Sequence, residues 1–152
     1  MNTKEFKTLL SKVAKGHGFE FLYGGWFREF PECLIVLDVQ KSNFGNYCYV
    51  NVRIFVQGTF GRAYARHKDL VKSGGDVFRR TPPEFDEALN FDSNFNLEER
   101  EQILKKIFQT FLEPFVEDAA TRAGLFRLET AKKVFLLPAM KAELERLQRG
   151  GA

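Results

Sequence analysis

The chain has 152 residues, with Lys+Arg 23 against Asp+Glu 20, 44% hydrophobic and 28% charged content. That is the size of one domain and the composition of an ordinary globular protein, which excludes a disordered or collagenous chain. At this length roughly 70% of the unfolded chain's surface can be buried, so a core needs neither metal nor disulfide, and 17 Phe beside one Trp predict an interior of flat, stiff rings.

Phe6, Leu9, Leu10, Val13 and Ala14 fall on one helical stripe, so a helix is predicted to about Lys15. Asn2 and Glu5 have the spacing of an N-cap with a reciprocal partner, and Gly16 supplies a left-handed stop. The segment is amphipathic rather than a signal peptide, and no run approaches the roughly 18 apolar residues of a membrane span. A cytoplasmic protein that meets no membrane is expected.

From Phe19 the period changes to two. Gly24-Gly25 interrupts this run as a bulge, and it ends at Pro31, which predicts one long, broken strand. Cys33 to Val39 is apolar at every position but Asp38, as in a strand with neighbours on both sides. Cys48, Val50, Val52, Ile54 and Val56 then alternate with Tyr49, Asn51, Arg53, Phe55 and Gln57, the pattern of one dry face and one wet face. The turn formers from Lys41 to Asn46 predict a hairpin. Pairing Gln40 with Tyr47 sets Val39 beside Cys48 and Asp38 opposite Tyr49. This register keeps Cys33 and Cys48 too far apart to bridge, so both are expected as reduced core thiols.

Between residues 58 and 94 the pattern is weaker. Arg62 to Lys72 has the look of a short helix, Val77 to Arg80 of a short edge strand, and Thr81-Pro82-Pro83-Glu84 of a helix start. Asn96 and Glu99 form a capping box before the apolar stripe Ile103, Leu104, Ile107, Phe108, Phe111 and Leu112. Pro114 predicts a kink or restart, Gly124 a stop, and a last helix restarts at Pro138 with Met140, Leu144 and Leu147 inward. Residues 150–152 are expected to fray beyond a single domain spanning 1–149. The fold class predicted is α+β, two-layer, an antiparallel meander of three or four strands with an N-terminal helix and C-terminal helices on one face.

Catalytic motifs are missing: there is no Gly-x-Ser-x-Gly elbow, no phosphate-binding loop and no dinucleotide fingerprint. His17 and His67 lack the companions of a zinc site, so no catalytic residue, metal or cofactor is assigned. The predicted wet face gathers Asp38, Gln40, Tyr47, Tyr49, Asn51 and Arg53, aromatic anchors mixed with hydrogen-bonding groups in the manner of a binding patch. An ordinary solvated sheet, with Asp38 balanced by Arg53, is the competing reading. Tyr49 and Arg53 are expected to serve a partner without serving stability.

The positive charge is local. Residues 61–80 carry 6 Lys+Arg and 2 Asp+Glu, against 10 and 13 in residues 81–152. Arg62, Arg66, Lys68, Lys72, Arg79 and Arg80, with Tyr64 and Phe60 interleaved, could contact phosphates and stack a base. A pI of 8.9 with an acidic C-terminal half favours a solvated loop, because nucleic-acid-binding domains usually exceed about 9. Most Phe residues are assigned to packing, and Phe44, Phe55 and Phe60 are the exceptions.

Gly18-Phe19 after an amphipathic helix, Gln40-Lys41-Ser42 closing an apolar strand and Asn51 in the next strand together resemble a family of small bacterial proteins classed as a domain of unknown function. The Trp-rich segment expected of that family has no counterpart here, Val77 to Phe91 being the nearest stretch. The resemblance implies a cytoplasmic α+β protein without assigned activity or cofactor, and a possible immunity or antitoxin role. The functional expectation is a noncatalytic binding domain for another protein. Nucleic-acid binding through residues 61–80 and an enzyme with an unfamiliar site are the alternatives.

Overall fold

The computed structural model describes residues 1–150. Helix α1 spans Thr3–Lys15, its first turn capped by Asn2, whose side chain accepts from the Glu5 amide at 2.8 Å. Phe6, Leu10, Val13 and Ala14 are buried, as the stripe predicts. Gly16 is not the left-handed stop: its φ is −65°, and the positive φ falls on Gly18. One further turn therefore carries His17 before the chain turns into the sheet.

The long broken strand is in fact two strands, β1 Glu20–Leu22 and β2 Gly25–Glu29. Tyr23 and Gly24 form the two-residue turn between them, with φ of 55° and 83°. Two successive positive φ values are what a tight hairpin turn demands, and Gly24 meets that demand without a Cβ. With β3 Cys33–Lys41, β4 Cys48–Val56 and β5 Val77–Arg80 the sheet has five antiparallel strands in sequence order, not three or four.

The β3–β4 register differs from the expected one by two residues. Gln40 pairs with Tyr49, Asp38 with Asn51 and Cys33 with Val56. A two-residue slip preserves the faces, because side chains alternate with a period of two. What draws the strand along is the segment after β5: the Cys48 amide donates to the Leu89 carbonyl and the Phe91 amide to the Asn46 carbonyl, so residues 46–48 pair there. The cysteines are free and buried. Cys48 pairs with Lys41 while Cys33 pairs with Val56, an offset of roughly 26 Å at the usual rise per strand residue.

All helices lie on the dry face. They are α1, α2 Leu97–Ile107, α3 Glu113–Ala119, α4 Arg122–Thr130 and α5 Pro138–Gly150, and they share one core with Ile35, Leu37, Val50, Val52 and Ile54. The capping box at Asn96 forms in full. A π-helical turn, Phe108–Leu112, precedes Pro114, and the Glu113 amide reaches back to the Phe108 carbonyl. Gly124 is not a stop but sits in the first turn of α4, where a Cβ would fall 1.7 Å from the Asp118 carbonyl oxygen. Met140, Leu144 and Leu147 face inward from α5, which continues to Gly150; of the expected frayed tail, Gly151 and Ala152 lie outside the described residues. Among the described residues no helix is long and apolar enough to cross a membrane.

The other face is not uniformly wet. Phe27, Leu34, Val36 and Phe55 project from it and form a second buried cluster with Val71. Each such side chain would forfeit about 1.5–3 kcal/mol if left in water, and residues 58–76 fold over them as a cover. The short helix expected over Arg62–Lys72 shrinks to one 3-10 turn, Lys68–Leu70, because the segment is held by side chains instead. Gln57 and Tyr64 exchange two hydrogen bonds of 2.8 and 2.7 Å. Asp76 accepts from the Val56 amide, the Thr59 hydroxyl and the Tyr64 hydroxyl.

Candidate functional site

The cover reaches only half of its face. Beyond it, toward the β3–β4 hairpin, the face carries Asp38 and Gln40 from β3, Tyr49, Asn51 and Arg53 from β4, and Phe78 and Arg80 from β5. The strand pairing brings these together, since Asp38 is opposite Asn51, Gln40 opposite Tyr49, Asn51 opposite Arg80 and Arg53 opposite Phe78.

Three of the sequence candidates lie inside rather than at the surface. Asp38, Asn51 and Arg53 are 7%, 0% and 9% exposed. Arg53 Nε donates to Asp38 Oδ1 at 2.9 Å, and its Nη1 donates to the Ser73 carbonyl, which fastens the cover to the sheet. Removing one partner of a buried ion pair costs about 3–5 kcal/mol, so Arg53 serves stability, contrary to expectation. Asn51 Nδ2 donates to Gln40 Oε1 at 2.9 Å and its Oδ1 accepts from Arg80 Nε at 3.1 Å, while Arg80 Nη2 reaches Gln40 Oε1 at 2.8 Å. The result is a polar row across three strands that orients the Arg80 guanidinium over the Tyr49 ring, 4.2 Å from its centroid. Tyr47 stands edge-on to Tyr49 at 5.6 Å.

Arg62 and Arg66 are not part of this row. Arg62 pairs with Asp76, and Arg66 with Glu20 and Glu29, so both belong to the cover. Of the aromatic exceptions, Phe55 is buried in the second cluster at 3% exposure, whereas Phe44 and Phe60 are exposed.

A groove of about 740 Å³ opens where the polar row meets β5. Tyr49, Phe78 and Arg80 form one wall, and Lys132, Lys133 and Phe135 from the α4–α5 connection form the other. Arg79 ties the walls together: its Nη1 donates to the Lys133 carbonyl at 3.0 Å, and the guanidinium lies over Phe111. Lys132 has a φ of 60°, which turns the connection back toward the sheet. Among the described residues, Arg79, Arg80, Lys132 and Lys133 form no ion pair, whereas the sheet's other arginines, Arg28 and Arg53, do. Asp86 and Glu129 are the acidic residues of the lining, and Glu129 is held by Lys141 at 2.8 Å. The groove is thus positive, aromatic and open. Sequence reading missed Lys132, Lys133 and Phe135, because they stand in the half of the chain whose charges sum to acidic.

On the dry side, Glu113 accepts from Arg28 Nη1 at 3.0 Å and sits 3.0 Å from His17 Nδ1, pinning the π-helical turn to β2 and to the end of α1. Burial pushes the Cys33 and Cys48 thiols up to about 12, which makes them poor nucleophiles. No three His, Cys, Asp or Glu converge as metal ligands among the described residues.

A family model described as "Domain of unknown function (DUF4304)" matches residues 10–118. No curated protein and no solved structure matches the chain.

Proposed function

The chain belongs to the DUF4304 family, and we propose that it is a noncatalytic interaction domain that holds another protein in the groove beside β5. One observation carries this reading: four cations and three aromatic rings line the groove, and none of those cations is neutralised within the molecule. Elsewhere on the sheet the arginines are spent on carboxylates. Uncompensated charge beside exposed rings is how interaction surfaces concentrate their binding energy. Phe135, 76% exposed, supplies the apolar contact.

Nucleic acid is the weaker occupant. Phosphate binding draws on many distributed contacts, whereas the 61–80 stretch is split: Arg62 and Arg66 are occupied by Asp76, Glu20 and Glu29, and Arg79 and Arg80 stand apart from them in the groove. A cytoplasmic setting belongs to the same reading, supported by two free thiols of the kind a reducing compartment preserves. An immunity or antitoxin role, which rests on the family resemblance, would use this surface.

The test is capture of a partner by the immobilised protein, using wild type, Lys132→Glu/Lys133→Glu and Arg66→Glu. Reversal at 132 and 133 should abolish capture while the fold melts as before, and Arg66→Glu should still capture. Retention of the partner by the Lys132→Glu/Lys133→Glu protein would contradict the assignment of the groove.

A further inference from the structure

The outer side of β5 is an open sheet edge. Thr81 donates its amide to the Val50 carbonyl at 3.0 Å, so Asn51 and Arg80 form a pair whose own amides and carbonyls do not face each other. By alternation Arg79 exchanges its hydrogen bonds with Val52, while Phe78 and Arg80 turn their backbone N–H and C=O groups away from β4. Among the described residues no hydrogen bond takes up those four groups. They open beside the groove, whose far wall is the Lys132–Phe135 segment.

Natural edges of this kind are usually blunted by a bulge, a proline or a covering element. Here Pro82 and Pro83 follow only after the edge has ended. An unpaired edge beside a groove is the arrangement that accepts an added strand.

We infer that β5 takes up an extended acidic segment of the partner protein as a sixth strand. This rests on the groove reading and names its ligand. The register defines what fits. Two residues of the segment, two apart, would exchange hydrogen bonds with Phe78 and Arg80. Paired residues share a face, so the side chains of these two lie on the Tyr49 face and those of their immediate neighbours on the other. On the Tyr49 face the two meet Arg80, which selects Asp or Glu, and Phe78, which selects an apolar or aromatic residue, with Lys132 and Phe135 across the groove. Affinity comes from the main chain, and choice of partner from charge.

The probe is a fluorescein-labelled peptide, Glu-Thr-Phe-Thr-Glu-Thr-Val, whose acidic and apolar residues alternate along one face as Arg80 and Phe78 do. Controls are the same peptide with alternate amides N-methylated, its Lys-substituted counterpart, and mixed-sequence single- and double-stranded oligonucleotides. Fluorescence polarisation should show the acidic peptide binding at least tenfold more tightly than either peptide control. Amide hydrogen exchange should show Phe78 and Arg80 unprotected in the free protein and protected with the peptide. Equal binding of the N-methylated peptide, with Phe78 and Arg80 exchanging unchanged, would overturn strand addition while leaving the groove as a docking site. No binding of the acidic peptide, or tighter binding of an oligonucleotide, would overturn the acidic-segment assignment. Loss of binding in Lys132→Glu/Lys133→Glu, whose changes lie on an exposed connection, places the peptide in the groove; unchanged binding there would refute the groove itself.

Discussion

Arg62 and Arg66 lie on the cover and pair with Asp76, Glu20 and Glu29, whereas Arg80, Lys132 and Lys133 lie across one groove and, among the described residues, pair with no carboxylate. Both sets are surface cations near the same sheet face, yet the first serves to seal a hydrophobic cluster and the second is left available. The difference originates in which residues occupy this one face along β3 and β4. At the β2 end, β3 and β4 project Leu34, Val36 and Phe55, which require a cover; at the hairpin end they project Asp38, Gln40 and Asn51, which do not. Counting charge along the chain cannot separate the two sets, because residues 61–80 contribute to both and the groove borrows Lys132 and Lys133 from an acidic stretch.

The largest effects are expected on the covered side. Phe55→Ala should cost about 3–5 kcal/mol by denaturant unfolding, the range for an aromatic removed from a closed core. Asp38→Ala should cost a similar amount, about 3–5 kcal/mol, by leaving Arg53 buried without its partner. If either variant is as stable as wild type, the cover is not a structural element. On the open side Lys132→Ala and Phe135→Ala should each shift stability by no more than about 0.5 kcal/mol, as surface positions do.

Two pH limbs follow from the buried and anchored groups. Cys33 and Cys48 hold their protons to about 12 when folded, against an ordinary value of 9.0. Stability is fully present below 9 and is lost as pH rises from there toward 12, because the unfolded chain releases its protons first. Cys33→Ala/Cys48→Ala should flatten that limb in thermal melts. Glu143 is lowered to about 2 by Arg146 and by the Phe60 amide, which joins α5 to the start of the cover. Its contribution is present above the ordinary carboxylate value and is lost as pH falls toward 2, so Glu143→Gln should flatten the acid limb. This is the smallest effect.

The helices were legible because their signals are local. Asn2 and Asn96 cap as their spacing says, and Ile107, Phe108, Met140, Leu144 and Leu147 are buried as their periodicity says. The β4 alternation also separates two faces correctly. Alternation does not say what covers a face, so Phe55 read as exposed although it is buried under Tyr64 and Val71. Gly124 read as a helix stop because the sequence shows a missing side chain and not the Asp118 carbonyl that fills its place. Gly24-Gly25 read as an interruption of one strand, and the hairpin turn at Tyr23-Gly24 went unread because one of its positive φ values falls on a tyrosine. The groove was beyond reach, since its walls stand more than fifty residues apart in the chain.

The division of this face is tested most directly by placing a photo-reactive benzoylphenylalanine at Phe135 in one variant and at Phe60 in another, both exposed positions. The two variants are then irradiated with the captured partner and the adducts weighed by mass spectrometry. Adducts at position 135 with none at position 60 are the expected result. Adducts at position 60 alone, on the cover, would contradict the groove as the binding surface.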